Sequence, residues 1–222
     1  MNKINYSLNP LIQIDDEKLN NLNTGDIILC HGYNQHGPDP GIDGIIEIFT
    51  HSPWEHAAMI IRDPWWTKPK LNGVYIYQSS GGPNSYNDVL NGKNSGVTLN
   101  KLEDFLRNRK YIFVRTLQNF TFDSYNKTLF VNIFNETHGK PYDKNAYNWF
   151  CTGVGSFCKC KCFSNKIVPE HTNSFWCSAL VAFYYDKMNW CNNLNWSDKT
   201  PADLFSIKAK LPLILSSAWQ LK

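Results

Sequence analysis

The apolar positions of the chain fall into short continuous runs and a few spaced stripes, and each kind predicts a different element. Asp26-Ile27-Ile28-Leu29-Cys30, directly after the turn pair Thr24-Gly25, reads as a buried strand. His56 to Ile61 reads as a second, Val74 to Gln78 as a third and Tyr111 to Thr116 as a fourth. The stripes predict helices. Tyr125, Leu129 and Ile133 recur every fourth residue between Ser124 and Thr137, with Gly139 and Pro141 as the stop. Leu180, Val181, Tyr184 and Met188 mark a further helix that begins near Ser174. Asn100-x-x-Glu103 has the form of a capping box and predicts a helix burying Leu102, Phe105 and Leu106. Ile45, Ile46 and Phe49 predict a short helix ending near His51.

Between these elements lie polar stretches. Residues 1–23 read as an arm docked on the body, residues 31–44 as a Gly- and Pro-rich loop and residues 80–96 as a long polar loop. Residues 150–168 are the least regular part. With no repeat and no linker, residues 24–222 read as one α+β domain.

Composition narrows the class. The 222 residues are 42% hydrophobic and 18% charged, with 13 Phe, 11 Tyr and 8 Trp, which excludes a disordered chain. No apolar run reaches membrane-spanning length, and the first residues lack the apolar core of a secretory signal. Lys and Arg exceed Asp and Glu by only 3, so no nucleic-acid partner is expected. The seven cysteines cannot all pair, and a cytoplasmic chain with reduced thiols is the expectation.

One cysteine sits where a thiolate is favoured. Cys177 falls in the first turn of an apolar helix, after the candidate caps Asn173 and Ser174. Open backbone N–H groups and the helix dipole favour negative charge there, on sulfur or on a developing oxyanion. The competing reading is an ordinary buried cysteine. A nucleophilic thiol needs a base, and of the six histidines only His56 opens an apolar strand, followed by small Ala57 and Ala58. Gln78, sharing a strand face with Val74 and Ile76, offers an amide oxygen to orient an imidazole, and Ser79 and Ser80 are nearby substitutes.

The order Thr24-Gly25-Asp26-Ile27-Ile28-Leu29, Ser52-x-x-x-His56, a strand ending in Gln78, Gly96-Val97-Thr98-Leu99, Gly139-Lys140-Pro141-Tyr142-Asp143, Phe175-Trp176-Cys177-Ser178-Ala179-Leu180-Val181 and Thr200-Pro201-Ala202-Asp203-Leu204 resembles the circularly permuted NlpC/P60 group, in particular its bacterial YiiX-type members and related poxvirus proteins. The resemblance spans about residues 22–205. It implies a papain-like fold with exchanged halves, an antiparallel sheet or small barrel against the nucleophile helix. It implies Cys177 as nucleophile, His56 as general base and Gln78 where the family often carries Glu. The implied reaction is cleavage of an amide or ester bond through an acyl-Cys177 thioester, with acyl transfer to an amine or alcohol as the alternative. The expected partner is a peptide or an acylated lipid or protein, with no cofactor. Trp54, Trp176 and Ser79 are the expected substrate contacts, and Trp65 and Trp66 extend the same apolar groove unless they are core.

Three rival readings remain at this level. Cys151, Cys158, Cys160 and Cys162 are a candidate zinc set, although single-residue spacing is tighter than structural zinc prefers, and no metal is expected. Phe157 and Phe163 interleaved with lysines and cysteines keep peripheral membrane contact or lipidation open. The neutral Gln78 keeps a non-enzymatic binding module open.

Overall fold

The strand-forming runs are apolar at successive positions, so each strand demands cover on both of its faces. The computed structural model, which describes residues 16–33, 54–81, 86–143, 172–192 and 194–222, provides that cover. Strands β1 (Ile27–Tyr33), β2 (His56–Arg62), β3 (Val74–Ser80), β4 (Gly96–Lys101) and β5 (Arg109–Arg115) form an antiparallel sheet. After β6 (Leu117–Gln118) and β7 (Ile214–Leu215), which pair with each other, β8 (Trp219–Gln220) completes it in the order β4-β3-β2-β1-β5-β8.

Helices follow the same logic. One face of the sheet carries Ile27, Leu29, Met59, Tyr77 and Leu99, and it packs with residues of α3 (Ser124–Thr137) and α4 (Cys177–Lys187). The other carries Ile28, Cys30, Ala58, Ile60 and Ile76. It is covered by Leu19 of α1 (Asp16–Asn20), Leu22, and Leu102, Phe105 and Leu106 of α2 (Leu102–Asn108). Residues 16–23 of the expected arm are thus held by buried side chains, and Arg62 donates to the carbonyls of Leu19 and Leu22. The architecture is mixed α+β with an antiparallel sheet.

Several expectations change. Strand β1 continues through His31 to Tyr33, where a loop was expected, because it pairs with β5 along that length. Helix α3 buries Phe130, Ile133, Phe134 and Thr137, and Tyr125 is exposed. The true stripe is the i, i+3, i+4, i+7 set, in which two phenylalanines displace the weaker Tyr125–Leu129 spacing. Helix α4 has no exposed side: every residue from Cys177 to Tyr185 is buried, as in a central helix.

The Asn100-x-x-Glu103 capping box does not form. Asn100 belongs to β4, Lys101 caps α2, and no side chain bonds to that cap. The expected loop after β3 is organised over residues 86–95. Asp88 is buried and accepts from the amides of Leu90, Asn91 and Leu99 and from His138. The helix over residues 45–51, the cysteine cluster at residues 151–162 and residues 1–15 lie outside the described residues.

The segment after α3 lies against β4. Gly139 ends the helix at φ +78, as expected, and the Lys140 carbonyl accepts from Val97. A Cβ on Gly96 would stand 2.3 Å from that carbonyl oxygen, at a φ of +80, whereas a Cβ on Gly139 would meet nothing within 4 Å. Both positions resist L-residues, but only Gly96 adds a backbone collision. Gly96→Ala should therefore cost roughly 3 kcal/mol or more and Gly139→Ala about 1–2 kcal/mol. Urea unfolding of the two variants checks the ordering.

Candidate active site

Antiparallel pairing decides which groups meet at the end of the sheet where β2 begins. In the register His56 lies opposite Cys30 of β1. Extending the β2–β3 register from Met59↔Tyr77 puts Gln78 opposite Ala58, one same-face step from His56. The alanine methyl leaves the space between them open, and His56 Nε2 lies 2.7 Å from Gln78 Oε1. Both side chains are buried, His56 at 6% exposure and Gln78 at 1%.

The polar line continues across the sheet. Gln78 Nε2 donates to Asn100 Oδ1 at 2.9 Å, and Thr98 Oγ1 donates to the same oxygen at 2.8 Å. Asn100 Nδ2 in turn donates to the backbone carbonyls of Tyr86 and Asn87, at 3.1 and 3.0 Å. Those residues share a face because Gln78 pairs with Thr98 and Ile76 with Asn100. Phe105 of α2 closes the face, its ring centroid 6.0 Å from that of His56.

The electrostatics favour a neutral imidazole. Burial, and after it the nearby Arg109 guanidinium, push His56 down to about 3, against a partial upward pull from the Gln78 hydrogen bond. Arg109 is itself buried and lies 5.6 Å over the Phe105 ring. Cys30 is pushed up to about 12 by burial first, with Arg109 opposing and Glu55 and Cys177 adding to the rise. Cys30 is thus a structural thiol.

Cys177 is the first residue of α4 and is 3% exposed. The expected side-chain caps, Asn173 and Ser174, do not cap this helix; Trp176 occupies the cap position without a side-chain bond. The first intrahelical bond runs from the Leu180 amide to the Trp176 carbonyl, which leaves the amides of residues 177–179 outside the helical ladder. Trp176 Nε1 and Ser178 Oγ, on either side of Cys177, both donate to the Lys199 carbonyl, at 3.1 and 2.7 Å. That carbonyl directly precedes α5 (Pro201–Ser206), whose start is fixed by a capping box between Thr200 and Asp203.

Ser79 fixes where α4 starts relative to the sheet. It is fully buried and donates to the Phe175 carbonyl at 2.6 Å, two residues before Cys177. The start of α4 therefore lies at the end of β3, which in an antiparallel pair is where β2 begins. Cys177 adds to the upward shift of the Cys30 thiol, and Cys30 is the register partner of His56.

The tryptophans divide between the two ends of β2. Trp54, two residues before His56, stacks on Phe205 at 5.1 Å and meets Phe113 edge-on at 5.1 Å. Trp65 and Trp66 follow the far end of β2 and pack against Phe130, with Phe122 and Phe134 completing the cluster. Those two are half-buried against the core, at the end of β2 away from His56. Sequence reasoning named Cys177, His56 and Gln78 as candidates but read Asn100 only as a cap, and missed Arg109 and the carbonyls of Tyr86 and Asn87. An Asn on the same face as a candidate Gln was the available signal.

Among the described residues, no group of three or more His, Cys, Asp or Glu side chains is placed to hold a metal ion. No helix of the described chain is long and apolar enough to cross a membrane. No family model matches the sequence, and no curated protein matches it. Among solved structures, the chain is similar to the crystal structure of metalloprotein yiiX (DUF1105) from Escherichia coli O157:H7, at 16% identity and a TM-score of 0.44. That similarity covers 75% of this chain and 66% of the other, so the chain spans about two thirds of its neighbour's length.

Proposed function

We propose that the protein is a thiol hydrolase of permuted papain-like type that cleaves an amide or ester bond in a peptide, lipid or lipidated protein. Cys177 is its nucleophile, His56 its general base and Gln78 the group that orients His56. The observation that carries this reading is the 2.7 Å contact between His56 Nε2 and Gln78 Oε1. An amide oxygen only accepts, so Nε2 carries the proton and Nδ1 keeps its lone pair. A neutral imidazole whose Nδ1 lone pair is not committed to Gln78 can accept a proton.

In the reaction, Nδ1 takes the Cys177 thiol proton as Sγ attacks the substrate carbonyl carbon. The carbonyl π electrons move to oxygen, and the amides at the start of α4 stabilise the oxyanion. Collapse expels the amine or alkoxide, which receives the proton from the imidazolium, and leaves an acyl-thioester. Water, deprotonated by His56, then releases the acid and the free thiol. The Gln78 amide is neutral and stabilises the transient imidazolium less than a carboxylate would, so catalysis rests more heavily on positioning. Trp54 with Phe205, which is 42% exposed, supplies an aromatic surface beside the site for an apolar acyl chain.

A small thiol-alkylating probe, with the labelled positions read by peptide mass spectrometry, tests this. Cys177 should react fastest of the seven cysteines, and His56→Ala should slow it. An activity screen over acylated lipids, fatty-acylated lysine peptides and peptidoglycan fragments should find turnover that Cys177→Ala abolishes. Equal, slow labelling of all seven thiols would sink the proposal.

A further inference from the structure

We infer that Asn100 is the positioning residue that sets the protonation pattern of His56, acting through Gln78 and taking its own direction from the backbone carbonyls of Tyr86 and Asn87. The inference rests on the hydrolase reading for its activity arm, but its spectroscopic arm stands without it.

Hydrogen-bond direction fixes the pattern. Backbone carbonyls accept and cannot donate, so the Asn100 atom facing Tyr86 and Asn87 has to be the NH2 group. Its oxygen must then face Gln78, which therefore presents its own NH2 group to Asn100. That leaves the Gln78 oxygen for His56, and the imidazole has to place its proton on Nε2. Thr98 Oγ1 then donates to the same Asn100 oxygen. Both amides could flip in isolation; in this chain two main-chain oxygens forbid it.

The anchoring carbonyls are themselves held. Asp88 follows them directly, and its carboxylate accepts from the amides of Leu90 and Asn91 on one oxygen and from Leu99 and His138 on the other. Burial pulls the Asp88 carboxyl upward, yet the His138 bond and the backbone amides outweigh it and keep it below the usual carboxylate value. An ionised Asp88 pins the 86–88 segment between β4 and the end of α3. The orientation of the base is thus set from outside β2 and β3.

The test is the tautomer of His56, read from long-range ¹H–¹⁵N correlations at neutral pH. The wild-type protein should show the Nε2–H form. Asn100→Ala removes the acceptor for the Gln78 NH2 group, so Gln78 can turn either end to His56. The expected result is a mixture of tautomers, with kcat reduced roughly 10- to 100-fold and KM nearly unchanged. Gln78→Glu alone sets a carboxylate oxygen against the Asn100 oxygen and should also lower kcat. In the double variant Asn100→Ala with Gln78→Glu that clash is gone and either carboxylate oxygen accepts from Nε2, so the Nε2–H form and at least a tenfold gain in kcat over Asn100→Ala should return. A residue that merely held the 86–88 segment would not be rescued from Gln78. Wild-type protein with the Nδ1–H form overturns the inference, as does an Asn100→Ala variant with an unchanged tautomer. If Asn100→Ala does not fold, the wild-type spectrum decides by itself. Tautomer shifts as described without any turnover support the relay and count against the hydrolase reading alone.

Discussion

His56→Ala is expected to reduce turnover about 1,000-fold or more while removing the acid-labile part of the protein's stability. The first effect is the loss of the base, which in thiol and hydroxyl nucleophile systems removes most of the rate. The second follows from burial. His56 titrates at about 3 in the fold against an ordinary 6.5, so between those values the unfolded chain binds a proton that the native state refuses. The His56 contribution to stability is full above the ordinary value and is lost as pH falls through this window, at up to about 1.4 kcal/mol per pH unit. Across the window the loss is roughly 4–5 kcal/mol at most. Near pH 7 the variant should be the less stable protein, because it leaves a cavity and an unfilled Gln78 oxygen. Urea midpoints at about pH 7 and about pH 4 should show the gap to wild type closing. A gap that stays constant across that range would mean the imidazole is not held neutral by the fold.

Asp26 drives stability the opposite way, and its replacement should expose the acid sensitivity that it masks. Its carboxyl is fully buried and accepts from the amides of Asn23 and Leu117. Burial pushes it up from 3.8 to about 7, with those two amides and Arg62 pulling the other way. The native state therefore holds a proton that the unfolded chain has released. That stability is fully present below the ordinary carboxylate value and is lost as pH rises through about 7. Its range is roughly 4 kcal/mol at most, and it overlaps the window of His56 with opposite sign. Wild-type protein should consequently show a shallow pH profile between about pH 4 and 6.5. Asp26→Asn should lose stability steeply on acidification over the same range. It also gives up about 1–3 kcal/mol at every pH, because an amide has one acceptor oxygen for two backbone donors. Parallel pH profiles for wild type and Asp26→Asn would contradict this assignment.

Local pattern was enough to place β1, β2, β3 and β5, because runs such as Ile27 to Cys30 and Ala57 to Ile61 are apolar at every step, but β4 reads in sequence as loop and helix cap. It also placed the candidates Cys177 at a helix start and His56 at a strand start, positions that are visible without a third dimension. It failed where the same letters serve two purposes. Asn100 and Glu103 spell a capping box, but Asn100 faces a buried amide across the sheet, and satisfying Gln78 outweighs capping α2. Likewise the residues after β3 read as a solvated loop because nothing in sequence announces that Asp88 will meet His138, fifty residues on. The stripe on α4 looked one-sided because period alone does not reveal that α3, the 3-10 turn at Trp196–Asp198 and α5 surround the helix.

The double acceptance by the Lys199 carbonyl has a consequence for how the protein tolerates change. A main-chain oxygen is present whatever side chain stands at position 199, so substitution there leaves both anchors of the Cys177 turn in place. The sensitivity is displaced onto Thr200 and Asp203, whose reciprocal cap sets where that oxygen sits. Drift at the lysine is therefore cheap, whereas change at a threonine and an aspartate more than twenty positions from the cysteine reaches the nucleophile.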